Sequence, residues 1–180
     1  MQIVFVILLS VGAYSYYFLD RPVFGKLPNE QSLERIKKSP NYANGEFVNL
    51  EETPNFAPGI NTWDAAKTFL KKPKNTEPPK EIPSVRTNLL SLDNSEPQIV
   101  WFGHSSYYLL IDGLKILVDP VFSGNASPVS FFAKSFKGSD VYGVKDFPEI
   151  DVLIITHDHY DHLDYETILA LYSKFKSVVT

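Results

Sequence analysis

Cysteine is absent from the 180 residues of this chain. No disulfide framework, no thiolate metal site and no lipid-modified cysteine anchor is therefore available. A basic surplus is absent too: 17 Lys and Arg stand against 21 Asp and Glu, a formal net charge of −4. Without a positive surface field the chain is no general nucleic-acid binder, and no nucleic-acid partner is expected. No internal repeat is present. What the chain does have is 44% hydrophobic and 14% aromatic residues, enough for one packed domain. Histidine is scarce at four residues, yet three of them crowd into one short stretch.

That stretch is Thr156-His157-Asp158-His159-Tyr160-Asp161-His162. It follows the apolar run Val152-Leu153-Ile154-Ile155, which reads as a buried strand, and precedes Leu163-Asp164-Tyr165-Glu166-Thr167, which reads as the start of a helix with Asp164 as its N-cap. A strand end opening through a turn into a helix is where α/β folds gather functional side chains. Imidazole and carboxylate are ligands for zinc and for non-haem iron. His157 and His159 are two apart, so in an extended segment they point to the same side and can hold one ion. Asp161 and His162 follow on the turn, within reach of a second ion beside the first.

Around the motif the pattern is that of strands. Ile99-Val100-Trp101-Phe102 reads as one. Tyr107-Tyr108-Leu109-Leu110-Ile111 and Leu114-Lys115-Ile116-Leu117-Val118 flank Asp112-Gly113, the signature of a two-residue hairpin with a primed turn. Asp119-Pro120 ends the second of these. A long loop, residues 121–149, carries Phe122, Phe131, Phe132 and Phe136. An amphipathic helix is expected over 165–175, and Ser177-Val178-Val179-Thr180 starts another strand, parallel to the motif strand through a right-handed crossover.

The chain divides into three parts: residues 1–20, residues 21–95 and residues 96–180. Residues 3–19 carry no charge, and the length is near the minimum for crossing a bilayer. With tyrosines at 14, 16 and 17 suited to an interface, the expectation is an uncleaved membrane anchor; a signal segment is the rival. The second part is punctuated by nine prolines and is expected to hold only short helices, over 29–38 and 61–72, the latter with Thr62 as N-cap and Pro73 as stop.

His157-Asp158-His159-Tyr160-Asp161-His162 resembles the His-x-His-x-Asp-His motif of the metallo-β-lactamase superfamily. Val100-Trp101-Phe102-Gly103-His104-Ser105-Ser106, Ile116-Leu117-Val118-Asp119-Pro120-Val121-Phe122-Ser123 and Asn125-Ala126-Ser127-Pro128 resemble its branch of N-acyl-phosphatidylethanolamine phospholipase D-like and ascorbate-6-phosphate lactonase-like enzymes. One departure is Ala133-Lys134-Ser135-Phe136-Lys137, where phospholipase-like members continue as Gly-Pro-Lys-Arg. The resemblance implies an α/β fold, the N-terminal half of a layered αββα sandwich. It implies a zinc-dependent hydrolase of phosphodiesters or esters, two ions per complete domain, iron or manganese being less expected. His157 and His159 would hold the first ion, Asp161 and His162 the second, and Asp161 would orient a metal-bound hydroxide as nucleophile. Asp119 matches an early aspartate that orients the metal-binding loop. His104 is left with three roles: contact with substrate, lining the site, or a hydrogen-bonded place in the core.

The family's later ligands have no counterpart in the sequence, so each ion receives two protein ligands. The chain as it stands is expected to bind metal weakly and turn over little. A missing C-terminal half or a partner chain would complete the site; the alternative is a non-catalytic remnant. The expected partners are a small-molecule or lipid substrate and, through the N-terminal segment, a membrane, the bacterial inner membrane being the expected location.

Overall fold

A computed structural model of the chain describes residues 2–51, 53–54, 56–71 and 74–180. The chain forms two compact units, Met1–Thr76 and Glu77–Thr180.

Among its described residues the first unit holds three α-helices, a 3-10 turn at Pro22–Phe24 and one small hairpin. Helix α1 runs Gln2–Leu19 with no acidic or basic residue at either end. Among the described residues no helix is long and apolar enough to cross a membrane. The expected spanning anchor is thus not shown: eighteen residues at about 1.5 Å each reach about 27 Å, at the lower limit for a hydrocarbon core of about 30 Å. The last turns are diluted by Tyr14, Ser15, Tyr16 and Tyr17. Helix α2, Glu30–Ile36, is capped by the Asn29 side chain, which accepts from Ser32 N at 2.8 Å. Strands β1, Tyr42–Ala43, and β2, Glu46–Phe47, pair antiparallel. Helix α3 spans Thr62–Leu70, and its N-cap is Asn61 rather than Thr62. The Asn61 side chain accepts from Trp63 N at 2.9 Å and Asp64 N at 3.1 Å, and the Asp64 carboxylate answers from Asn61 N. That reciprocal box satisfies more donors than a threonine one position later would. Pro73, the expected stop, lies outside the described residues.

The second unit is built on a five-stranded mixed sheet in sequential order: β3 Gln98–Gly103, β4 Ser106–Ile111, β5 Leu114–Val118, β6 Ile150–Ile154 and β7 Phe175–Val179. Strands β3, β4 and β5 pair antiparallel; β5, β6 and β7 pair parallel. The hairpin forms as the Asp112-Gly113 signal predicts: Ile111 pairs with Leu114, and φ is +50° at Asp112 and +79° at Gly113. Helix α4, Tyr165–Leu171, makes the crossover between β6 and β7. It is four residues shorter at its C-terminal end than the amphipathic pattern predicts. Phe175 pairs with Ile150 in the sheet, so the helix must stop in time for the chain to turn.

Tyr108, Leu110, Leu117, Leu153 and Leu171 form the core with Phe147. The Phe147 ring meets Phe102, Tyr108 and Phe122 at centroid distances of 5.4, 6.2 and 5.0 Å. The unit begins well before residue 96, where composition draws a boundary. Ile82 N donates to Lys137 O at 2.9 Å, Thr87 N donates to the Tyr142 hydroxyl at 2.7 Å, Arg86 pairs with Asp146, and Leu89 is buried in the core. This segment is thus a strap across the long loop.

The strand directions decide where function can sit. Because β3 and β5 both run antiparallel to β4, and β6 runs parallel to β5, the C-terminal ends of β3, β5 and β6 share one edge of the sheet. His104 follows β3, Asp119 follows β5, and the histidine-rich loop follows β6.

Candidate metal centre

Asp119 is the buried foundation of the site. It is fully buried, at φ +42°, and its amide donates to Ile154 O at 3.0 Å, tying the end of β5 to the end of β6. Its Oδ1 accepts from Thr156 N at 2.8 Å. Its Oδ2 accepts from Thr156 Oγ1 at 2.7 Å and lies 2.8 Å from His162 Nδ1. Burial pushes this carboxyl up, but the His162 ring and the Thr156 amide and hydroxyl outweigh it and hold it below the usual 3.8. An ionised Asp119 only accepts, so the proton sits on His162 Nδ1 and the Nε2 lone pair faces outward. The Thr156 hydroxyl spends its one proton on Asp119, so at 3.1 Å from His157 Nδ1 it accepts from that ring in turn. One carboxylate thereby fixes the tautomer of two histidines, each with Nε2 free to ligate.

The rings close up around these anchors. His157 stands 3.8 Å from the His162 ring and 4.7 Å from the His159 ring, centroid to centroid. His162 is buried, Asp161 half-buried, and His157 and His159 are exposed. Within the loop, His162 N and Leu163 N both donate to His159 O, at 2.9 and 2.7 Å, closing the turn. Asp164 caps α4 through Thr167 N, as the sequence suggests, and also accepts from Phe122 N at 3.1 Å and Ser123 N at 2.9 Å. The helix cap thus doubles as a clamp on the start of the long loop.

His104 lies outside the core. Its side chain is 61% exposed, with Nε2 at 3.0 Å from Asp161 Oδ2 and 3.3 Å from His162 Nε2. Ligand-capable atoms of His104, Asp161 and His162 all lie within 4.8 Å of one another, the one such trio among the described residues. Of the residues expected to ligate, Asp161 and His162 thus meet a third donor, while His157 and His159 form a pair beside it. Sequence spacing alone did not single out Thr156. The signal for His104 was its place directly after a strand, the same signal that marks the main loop.

A cleft of about 750 Å³ opens beside the trio, with His104 and Asp161 in its wall. Phe102, Val121, Phe122, Phe136, Val141 and Tyr142 make it mostly apolar. The loop 121–149 and the strap over 82–85 supply much of the lining. Ser106 also lines it; its hydroxyl is buried and has no hydrogen-bond partner among the described residues.

Residues 98–177 match a family model described as beta-lactamase superfamily domain. An uncharacterized protein of Mycobacterium tuberculosis is 34% identical over 140 residues, covering 75% of this chain and 37% of that protein. The N-acyl-phosphatidylethanolamine-hydrolyzing phospholipase D 1 of Caenorhabditis elegans is 34% identical over 68 residues, 38% of this chain and 19% of that one. A metal-dependent hydrolase of Pyrobaculum islandicum is 42% identical over 66 residues, 37% of this chain and 24% of that one. Among solved structures, a diiron β-hydroxylase from Streptomyces venezuelae is 33% identical, covering 46% of this chain and 15% of that chain, with a TM-score of 0.32. The chain spans little more than a third of the length of the mycobacterial relative it matches. The motif loop, its anchoring aspartate and the matched residues all lie in one unit, whose residues 98–177 are similar to the beta-lactamase superfamily domain.

Proposed function

We propose that this domain performs metal-assisted hydrolysis of an ester or phosphodiester whose apolar portion lies in the cleft. The observation that carries this reading is the shared wall: His104 and Asp161 belong both to the donor cluster and to the cleft lining. His157 and His159 would hold one divalent ion, and Asp161 and His162 a second beside it. The donor set of imidazole and carboxylate without thiolate suits zinc, and tolerates iron or manganese. Bound there, the metal would supply Lewis acidity and lower the pKa of water towards about 7. The protein's own groups do the rest. Asp161 orients the attacking water by accepting its hydrogen bond. Asp119 and Thr156 keep the histidine Nε2 atoms aimed outward. The unpartnered Ser106 hydroxyl offers a hydrogen bond to a polar group of the substrate, and the aromatic walls keep bulk water from its apolar portion.

The test uses the full chain loaded with zinc and two chromogenic substrates, an aryl ester and a bis-aryl phosphodiester. The expected result is slow turnover that a chelator abolishes, zinc restores and Asp161→Ala removes. Turnover indifferent to chelation, or none with metal bound, would overturn the reading.

A further inference from the structure

We propose that His104 is a metal ligand: with Asp161 and His162 it forms a three-donor site for a single divalent cation, open at a fourth position towards the cleft. The inference rests on the reading that the histidine-rich loop binds metal, and it adds a ligand from a different strand end.

The distances carry it. Zinc holds nitrogen and oxygen at about 2.0–2.2 Å, and tetrahedral angles then put neighbouring donor atoms about 3.3–3.5 Å apart. His104 Nε2, His162 Nε2 and Asp161 Oδ2 form a triangle with edges of 3.3, 3.0 and 3.8 Å. The mean edge is therefore about 3.4 Å, the face of a tetrahedron around one ion. Hydrogen bonding alone explains the His104–Asp161 edge. It does not call for His162 to aim a lone pair at the same point, yet Asp119 fixes the His162 proton on Nδ1 and does so.

The backbone under His104 is built for placement. Gly103 and Ser106 pair across a two-residue turn, and φ is +115° at Gly103 and +46° at His104. A non-glycine residue in the left-handed region is uncommon and strained, and such residues gather at functional sites. Here the surroundings hold it: Trp101 Nε1 donates to His104 O at 3.0 Å, and the His104 ring packs edge-on against His162 at 5.0 Å. An exposed imidazole held this way loses little further freedom when it ligates. The chemistry balances simply, since each neutral imidazole offers a lone pair and the Asp161 carboxylate one oxygen. On ligation the His104 ring carries its single proton on Nδ1, which leaves the Nε2 lone pair for the ion.

The test is a cobalt(II) titration of the full chain, followed by visible absorption and by competition with a chromophoric chelator. His104→Asn is the informative variant, because asparagine tolerates the left-handed backbone and preserves the turn. Its expected effect is a loss of at least tenfold in affinity for one ion, with a changed visible spectrum and an unchanged circular-dichroism melt of the metal-free protein. His104→Cys gives a second readout. The chain has no cysteine, so a thiolate-to-cobalt charge-transfer band in that variant reports ligation from position 104 alone. Cobalt binding by His104→Asn within twofold of wild type with the same spectrum, or the absence of the band in His104→Cys, would overturn the proposal. The parent reading fails differently: if wild type binds no cobalt, or if His162→Ala and Asp161→Asn bind as wild type does, the loop is not a metal site at all. A His157→Ala, His159→Ala double variant is expected to keep the cation of the three-donor site and to lose the other.

Discussion

Replacing Asp119 with asparagine changes one oxygen to an amide nitrogen without altering shape, and the hydrogen bonds dictate the outcome. Thr156 N is a fixed donor, so the asparagine oxygen must remain where Oδ1 now sits, 2.8 Å away. The amide nitrogen then takes the Oδ2 position, between His162 Nδ1 at 2.8 Å and Thr156 Oγ1 at 2.7 Å. It donates there, so His162 must accept on Nδ1 and carry its proton on Nε2, the atom that faces the donor cluster. The Thr156 hydroxyl, no longer donating to a carboxylate, turns its proton to His157 Nδ1, 3.1 Å away, and moves that ring to the wrong tautomer as well. Loss of such an orienting partner typically weakens metal binding about 10- to 100-fold, or about 1.4–2.7 kcal/mol. Two rings are affected here, so the upper end is expected. The metal-free protein should also lose about 1–3 kcal/mol, because a buried charged acceptor is replaced by a poorer partner. Competition of a chromophoric chelator for zinc gives the affinity, and thermal unfolding of the metal-free protein gives the stability. Zinc affinity within twofold of wild type in Asp119→Asn would refute the tautomer argument.

Phe147→Ala should cost about 3–5 kcal/mol, since the ring is fully buried against Phe102, Tyr108 and Phe122; denaturant unfolding checks it. Gly138→Ala should destabilise by about 1–3 kcal/mol, because φ is +87° and a Cβ would overlap the Ile82 carbonyl oxygen on the strap; a melting point equal to wild type would contradict that packing. Asp151 on β6 accepts from Lys176 Nζ on β7 at 2.6 Å and from Lys115 N on β5 at 2.9 Å. The Lys176 hydrogen bond first, then the Lys115 amide, hold its carboxyl below 3.8. A lowered folded value favours the ionised fold. That stabilisation is complete above about pH 3.8 and disappears as pH falls through the lowered value. Asp151→Asn should therefore flatten the fall in melting temperature below pH 3.8, and an unchanged slope would count against it.

The sequence by itself determined the local chemistry. His157, His159, Asp161 and His162 lie within six positions after an apolar run, so their convergence needs only a strand end and one turn. The Asp112-Gly113 hairpin and the Asp164 cap are equally local: each is set by backbone angles and hydrogen bonds spanning two to four residues. The N-terminal helix was legible too, from an uncharged apolar run. Only the tertiary structure decided what the motif meets. The antiparallel β3, β4 and β5 and the parallel β6 bring three strand ends to one edge. Thus His104, 58 residues before His162, arrives at hydrogen-bond distance from it, and Asp119 becomes the anchor for Thr156 and His162. The strap over 82–92 was hidden for the same reason. Proline-rich sequence shows no periodicity, and its partners, Lys137, Tyr142 and Asp146, lie more than fifty residues away. Spacing in sequence encodes contacts a few residues apart; contacts of high separation depend on strand order and direction, which no single segment carries.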